Sequence, residues 1–267
     1  MRLRLGVGEA LAEAGPGTLP VLVAPTGYGK TSSVHMAWAE LSSRWGRVVH
    51  VLPLRALVAK TAEDAVTRGV PLGDVAYQAM IERVEVEEGG VAKSPYMFSK
   101  YVVTTYDSFL LSLYVCPVAE LWRVYAHRDT GVLAACGGGV LLDEVHLVLA
   151  IDQVDDARSE ASKAYTCLLY TAKVLTAYLE RPVVAATATL PRSSIRGLYA
   201  ELSERDVEVK LHLCLGRRGL RYYSGCAPSV EHGLDPDYAS LYDCYKATVR
   251  TSSVSYTHLT LPTTERV

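Results

Sequence analysis

Leu19-Pro20-Val21-Leu22-Val23, running into Ala24-Pro25-Thr26-Gly27-Tyr28-Gly29-Lys30-Thr31, is the stretch on which the fold turns. A short apolar run leads straight into a glycine-bearing turn, and the turn leads into a helix-compatible segment, residues 31–43. Gly27 and Gly29 carry no Cβ, so backbone N–H groups there can converge on phosphate oxygens. Lys30 brings a positive charge to the β and γ phosphates. The Thr31 hydroxyl is a ligand for Mg²⁺, and the helix starting beside it offers its positive end. This is the phosphate-loop pattern, with Ala24 in place of the usual first glycine. The alternative is a glycine-rich turn with an unrelated lysine, which leaves its place between strand and helix unexplained.

Four further apolar runs follow, at Val48–Leu52 and at residues 101–104, 140–142 and 182–186, the fourth strand starting directly after Gly137-Gly138-Gly139. Continuous apolar character, rather than alternation, predicts parallel strands covered on both faces. Helix-like stretches at 55–68 and 156–179 lie between them. Strands alternating with helices predict an α/β fold with a mostly parallel sheet, and ligands at the carboxyl ends of its strands. Residues 75–95, with Glu82, Glu85, Glu87 and Glu88, show no clear period and read as a solvated excursion between two strands.

The fourth strand ends in Leu141-Leu142-Asp143-Glu144-Val145-His146. An aspartate at the tip of an apolar strand is where a phosphate-loop protein holds Mg²⁺, often through water. A glutamate directly after it can polarise an attacking water as general base. Two adjacent carboxylates at a buried strand end also repel each other unless a cation lies nearby. Alone, an Asp-Glu pair is as well explained by a solvated strand end; behind a phosphate loop it is not.

With these residues in place, the chain resembles the DExH branch of superfamily 2 helicases. Ala24–Thr31 is similar to motif I and Asp143-Glu144-Val145-His146 to motif II. Pro53-Leu54-Arg55-Ala56-Leu57 resembles motif Ia, Thr104-Thr105-Tyr106-Asp107 motif Ib, and Thr187-Ala188-Thr189-Leu190-Pro191 motif III. The resemblance implies a RecA-like phosphate-loop NTPase domain with helices on both faces of the sheet, and ATP and Mg²⁺ as cofactors. It implies that Lys30, Asp143, Glu144 and His146 serve catalysis and that residues 24–31 hold ATP. Thr31 and Asp143 would hold Mg²⁺, and Thr187 and Thr189 would couple hydrolysis to strand movement. Arg55 and Thr105 would contact nucleic acid. Other readings stay open: Arg55 as a surface residue at a helix start, Thr105 as a helix cap through an exposed hydroxyl. His146 is also readable as a hydrogen-bonded strand-end histidine, and Thr187 and Thr189 as ordinary β-branched strand residues.

Asp-Glu-Val-His together with Thr-Ala-Thr-Leu-Pro most resembles the CRISPR-associated helicase of type I interference systems. That likeness implies ATP-driven, 3′-to-5′ translocation on single-stranded foreign DNA, with a guide-RNA surveillance complex as partner. Only 23 residues precede Ala24, too few for a fused histidine–aspartate nuclease, so a separate HD-type nuclease is expected. No glutamine-bearing adenine motif precedes the loop.

Of the 267 residues, 49% are hydrophobic and 21% charged, enough for a sizeable core. A net charge of −2 excludes an overall basic field, so nucleic acid would meet a local surface. The six cysteines, Cys116, Cys136, Cys167, Cys214, Cys226 and Cys244, include no Cys-x-x-Cys pair, which favours buried or idle thiols over zinc. A disulfide in a hyperthermophile's cytoplasm stays open. No apolar run reaches a membrane span, and the chain reads as cytoplasmic.

Residues 1–225 are expected to form the first motor domain and 226–252 the start of an interdomain segment, with a helix at 238–249. Gly216-Arg217-Arg218-Gly219-Leu220-Arg221 follows Thr189 too closely for a second sheet between them, and reads as linker or sheet edge. Residues 253–267 include Ser253-Val254-Ser255-Tyr256-Thr257-His258-Leu259-Thr260-Leu261-Pro262, which resembles a peptide read from sequencing-adapter DNA. Its other reading is a polar, threonine-rich strand. Without the arginines of a second motor domain, the chain itself is expected to bind Mg-ATP but not to unwind. Two alternatives remain: another DExH DNA or RNA helicase, and an ATP-binding interaction module without turnover.

Overall fold

A computed structural model describes residues 3–81, 83–87, 89–121, 127–149 and 160–223 of the chain. Its first elements are α1 (Leu5–Glu13), β1 (Thr18–Val23), α2 (Lys30–Met36), α3 (Trp38–Trp45), β2 (Val48–Leu52) and α4 (Arg55–Thr67). Four short strands follow: β3 (Val75–Gln78), β4 (Glu85–Val86), β5 (Gly89–Gly90) and β6 (Ala92–Lys93). Then come β7 (Tyr101–Thr105), α5 (Tyr106–Tyr114), α6 (Arg128–Cys136), β8 (Gly139–Leu142) and α7 (His146–Leu149). Helix α8 (Glu160–Lys173) continues as a π-helical turn, Val174–Tyr178, before β9 (Val183–Thr187), α9 (Arg192–Ser203), β10 (Glu208–Leu213) and α10 (Arg217–Tyr223).

Eight strands form one sheet in the order β10-β1-β9-β8-β2-β7-β3-β6, each pair parallel, while β4 and β5 make a separate antiparallel pair. Parallel neighbours need crossovers, and the crossover helices cover both faces. One face packs Leu22, Val48, Leu52, Val103, Leu141 and Val184 beneath α1 to α4, with Leu11, Val34, Leu41 and Val58 among the covering residues. The other packs Val21, Val49, Val51, Val102, Val140 and Val183 beneath α5, α6, α8 and α9, through Phe109, Ala134, Leu168 and Ile195. Alternate residues of one strand thus serve opposite cores, which is why its sequence is apolar throughout.

All strands end on the same edge, and the backbone ladder continues past them. Ala24 N–H donates to Thr187 O at 3.0 Å, Asp143 N–H to Val51 O at 2.9 Å, and Val145 N–H to Ala186 O at 3.1 Å. The sequence-predicted motif segments are therefore anchored to one another at that edge.

Three expectations are corrected. Residues 75–95 are not wholly a solvated excursion: β3 is buried at all four positions and pairs with β7 and β6. Thr104 Oγ1 donates to Gln78 O and to Gln78 Oε1, at 2.8 and 3.0 Å, which gives the buried amide oxygen of that strand a partner. Glu85 and Glu87 are exposed, as expected. The helix expected at 31–43 is two helices, broken at Ala37, whose φ of −82° and ψ of 4° leave the helical region. Strand β10 was not anticipated; it pairs with β1 at the sheet edge, and residues 217–221, expected as linker or sheet edge, belong to helix α10.

No helix among the described residues is long and apolar enough to cross a membrane. Cys116, Cys136 and Cys167 are free thiols. The expected helix at 238–249, Cys226, Cys244 and the segment 253–267 lie outside the described residues.

Candidate nucleotide site

Between β1 and α2 the loop takes backbone conformations that favour glycine. Gly27 and Gly29 have φ of 83° and 98°, and Gly29 caps α2 from the left-handed region. A Cβ at Gly27 would meet nothing within 4 Å, so backbone angle rather than space selects glycine there. Tyr28 between them is fully buried and anchors the loop. Arg4 Nε donates to Tyr28 O at 3.0 Å, its guanidinium lies 5.7 Å from the ring centroid, and Arg4 N–H donates to Ser33 Oγ at 3.2 Å. The N-terminal segment therefore braces the loop from behind.

Lys30 Nζ donates to Ala24 O at 2.9 Å and lies 3.9 Å from Glu144 Oε1. Thr31 Oγ1 donates to Asp143 Oδ2 at 3.1 Å. Motifs far apart in the chain thus meet across the ends of β1 and β8. Asp143 is almost wholly buried. Its Oδ1 accepts Glu144 N–H at 2.9 Å, and Oδ2 lies 3.1 Å from His50 Nε2. Burial pushes its carboxyl up, but the His50 bond and charge, the Lys30 ammonium and the Glu144 N–H outweigh burial and hold it below the usual carboxylate value.

Glu144 stands at φ 53°, left-handed for a residue with a side chain. Such backbone strain is found where surrounding structure over-determines a conformation, typically at functional sites. The turn leaves the Glu144 carboxylate partly exposed, with Oε1 toward Lys30 and Oε2 3.2 Å from His146 Nδ1. His146 Nδ1 also lies 3.1 Å from Thr187 Oγ1, and Thr187 Oγ1 donates to Thr189 O at 2.7 Å. Lys30, Thr31, Asp143, Glu144, His146 and Thr187 thus form one connected set.

Arg55 and Thr105 stand apart from this set. Arg55 is exposed at the start of α4. Thr105 is buried, contrary to the exposed side chain expected, because it caps α5: Ser108 N–H donates to its Oγ1 at 3.3 Å and its hydroxyl donates to Ser108 Oγ at 3.0 Å. Thr189 is exposed.

The oxygen pair of Thr31 and Asp143 suits Mg²⁺, a hard cation that in phosphate sites takes one or two protein oxygens and completes its shell with phosphate and water. Among the described residues, no three His, Cys, Asp or Glu side chains gather as an all-protein cage.

Several residues of the site escaped the sequence reading. His50 and Tyr101 lie behind Asp143, and Tyr106 donates to Asp143 O at 3.3 Å. Tyr223 on α10 donates to Leu190 O at 2.7 Å and accepts Leu190 N–H at 3.1 Å, pinning the segment after β9. One signal was available: His50 is the single polar residue in Val48-Val49-His50-Val51-Leu52.

No curated protein matches the sequence. Similar solved structures include T. fusca Cas3-ATP, at 20% identity and a TM-score of 0.54, with 88% of this chain and 25% of that chain covered. T. fusca Cas3-ADP matches at 18% identity and a TM-score of 0.54, over 88% and 25%. T. fusca Cas3-AMPPNP matches at 19% identity and a TM-score of 0.52, over 76% and 22%. At this identity the likeness is one of fold, and the chain spans about a quarter of the length of the Cas3-ATP chain. The family model for DEAD/DEAH box helicases matches residues 9–197, the span that holds the phosphate loop, the acidic pair and Thr187, and the chain belongs to that family.

Proposed function

We propose that the chain is the first motor domain of an ATP-dependent DNA helicase or translocase of a CRISPR type I interference system, acting on single-stranded foreign DNA in the cytoplasm. The observation that carries the nucleotide part is the 3.1 Å contact between Thr31 Oγ1 and Asp143 Oδ2, with Lys30 Nζ 3.9 Å from Glu144 Oε1. Thr31 and Asp143 would hold Mg²⁺, which when bound neutralises charge on the β and γ phosphates. Backbone N–H groups at Gly27, Gly29, Lys30 and Thr31 cradle the phosphates, and Lys30 leaves Ala24 O to pair with them. Glu144 takes a proton from the water that attacks the γ-phosphorus as the bond to the β-phosphate oxygen breaks. His146, between Glu144 and Thr187, would report the state of that carboxylate to residues 187–191.

A second RecA-like domain would supply the arginines that complete hydrolysis. Arg55 would meet the nucleic-acid backbone directly, and Thr105 through the helix end it caps. The choice of a CRISPR role rests on Asp143-Glu144-Val145-His146 combined with Thr187-Ala188-Thr189-Leu190-Pro191. A guide-RNA complex and a separate HD-type nuclease are the partners this reading implies.

The test is phosphate release from ATP by a form that includes the second motor domain, with single-stranded DNA or RNA added. Stimulation by DNA is expected. Stimulation by RNA alone would move the assignment to an RNA helicase, and ATP binding without release under either condition would leave a binding module.

A further inference from the structure

We propose that His50 is a positioning residue for Asp143, the inner link of a buried tyrosine–histidine–aspartate chain that sets the carboxylate facing Mg²⁺; this rests on the ATP and Mg²⁺ reading above. His50 sits in the middle of β2, fully buried, with Val103 and Leu141 as its register partners on β7 and β8. Its strand neighbours Val49 and Val51 are buried valines. An imidazole in a central parallel strand is unfavourable unless both ring nitrogens are satisfied, and a fifth apolar residue would avoid the problem. Here both are satisfied. Nε2 lies 3.1 Å from Asp143 Oδ2 and Nδ1 lies 2.8 Å from Tyr101 OH.

A carboxylate oxygen only accepts, so Nε2–H donates to Asp143, while Nδ1 is paired with the Tyr101 hydroxyl. The tyrosine is held in turn by edge-on contacts with His35 and Trp38, at centroid distances of 5.6 and 5.5 Å and interplanar angles of 73° and 84°. The chain therefore runs from the α2–α3 face of the sheet to the carboxylate at its edge. Glu144 N–H fixes Oδ1 and His50 fixes Oδ2, so the Asp143 carboxylate cannot turn about its axis without breaking a bond. Outer partners of this type set the orientation of a metal-binding carboxylate, and their loss typically lowers metal affinity about 10- to 100-fold.

The experiment uses the 267-residue chain and calorimetric ATP binding, measured across a Mg²⁺ titration and again in EDTA, with a thermal melt of every variant. His50→Leu keeps the volume and removes the donor. It is expected to raise the Mg²⁺ needed for tight ATP binding about 10- to 100-fold, with metal-free ATP affinity unchanged. His50→Gln, whose amide nitrogen can replace Nε2, is expected to restore most of the loss. Tyr101→Phe, which takes away only the outer hydroxyl, is expected to shift the Mg²⁺ requirement the same way by less, and it serves if His50→Leu does not fold. Unchanged Mg²⁺ dependence in a folded His50→Leu or Tyr101→Phe variant would overturn the proposal. So would an equal loss of affinity with and without metal, which a purely structural role produces. If the unaltered chain binds no ATP under any condition, the nucleotide reading fails and takes this one with it; normal Mg-ATP binding with indifferent His50 variants sinks the positioning role alone.

Discussion

His146 Nδ1 and Thr187 Oγ1 lie 3.1 Å apart, joining the segment after β8 to the end of β9. Because the Thr187 hydroxyl donates to Thr189 O, it accepts from His146, so the proton sits on Nδ1. Glu144 Oε2 lies 3.2 Å from the same nitrogen without accepting a hydrogen bond. The carboxylate beside the phosphates and the loop at 187–191 thus meet at one imidazole, and a change of charge at Glu144 alters the donor that Thr187 receives.

Removing that imidazole should uncouple the two ends. In a form with both motor domains, His146→Ala is expected to leave ATP affinity unchanged. The effect of a bound ATP analogue on single-stranded DNA affinity, read by fluorescence anisotropy, should shrink by about 5- to 150-fold, the span of an ordinary coupling between sites. A preserved ratio would show that the contact carries no information.

Glu144 invites two substitutions. Glu144→Gln keeps shape and hydrogen bonding but cannot take a proton, so ATP binding should persist while steady-state phosphate release falls about 10²- to 10⁴-fold. Its φ of 53° makes a second prediction about stability. Glycine accepts that backbone angle and alanine does not, so Glu144→Gly should be more stable than Glu144→Ala by about 1 kcal/mol in urea unfolding. Elsewhere in a folded chain alanine is ordinarily the better of the two. Equal stabilities would mean the turn relaxes.

The strands were legible where burial on both faces forbids polar residues. Val48–Leu52 was read with its observed bounds, and the runs at 19–23, 101–104, 140–142 and 182–186 came within a residue of theirs. Strand β3 was not, because Val75-Ala76-Tyr77-Gln78 is short and its glutamine reads as a turn signal until Thr104 is placed beside it. Strand β10 alternates, Glu208-Val209-Lys210-Leu211-His212-Leu213, as an edge strand with one partly open face does, and escaped a search for continuous apolar runs. The site motifs were legible because each follows its own strand. Nothing local in the chain announced that Thr31 and Asp143 meet, that Tyr101 backs His50, or that Tyr223 returns to Leu190. Those are properties of strand order.

Behind the site, His35 on α2 is buried, with its pKa lowered to about 3 by burial first, then by His50 and Arg68, and partly restored by Asp143. The folded chain refuses a proton that the unfolded chain accepts near 6.5. Stability is therefore full above that value and falls as pH drops from 6.5 toward 3, at about 1.4 kcal/mol per pH unit from this one group. Asp143 acts in the same direction but lower on the pH scale: its contribution is present above 3.8 and lost below, so the window from 6.5 to about 4 belongs to His35. Urea unfolding of His35→Leu at pH 7, 6, 5 and about 4 should lack this slope. A slope equal to that of the unaltered chain would place the acid sensitivity elsewhere.

The central claim is that residues 24–31 and the carboxylates after β8 together make a site for Mg-ATP, and Lys30 touches both, through Ala24 O at 2.9 Å and Glu144 Oε1 at 3.9 Å. The direct measurement is an isothermal titration of the chain with ATP in Mg²⁺, beside Lys30→Ala checked for native folding by circular dichroism. Saturable binding that disappears in a folded Lys30→Ala variant is the expected result. Equal binding by both, or none by the unaltered chain, would contradict the assignment.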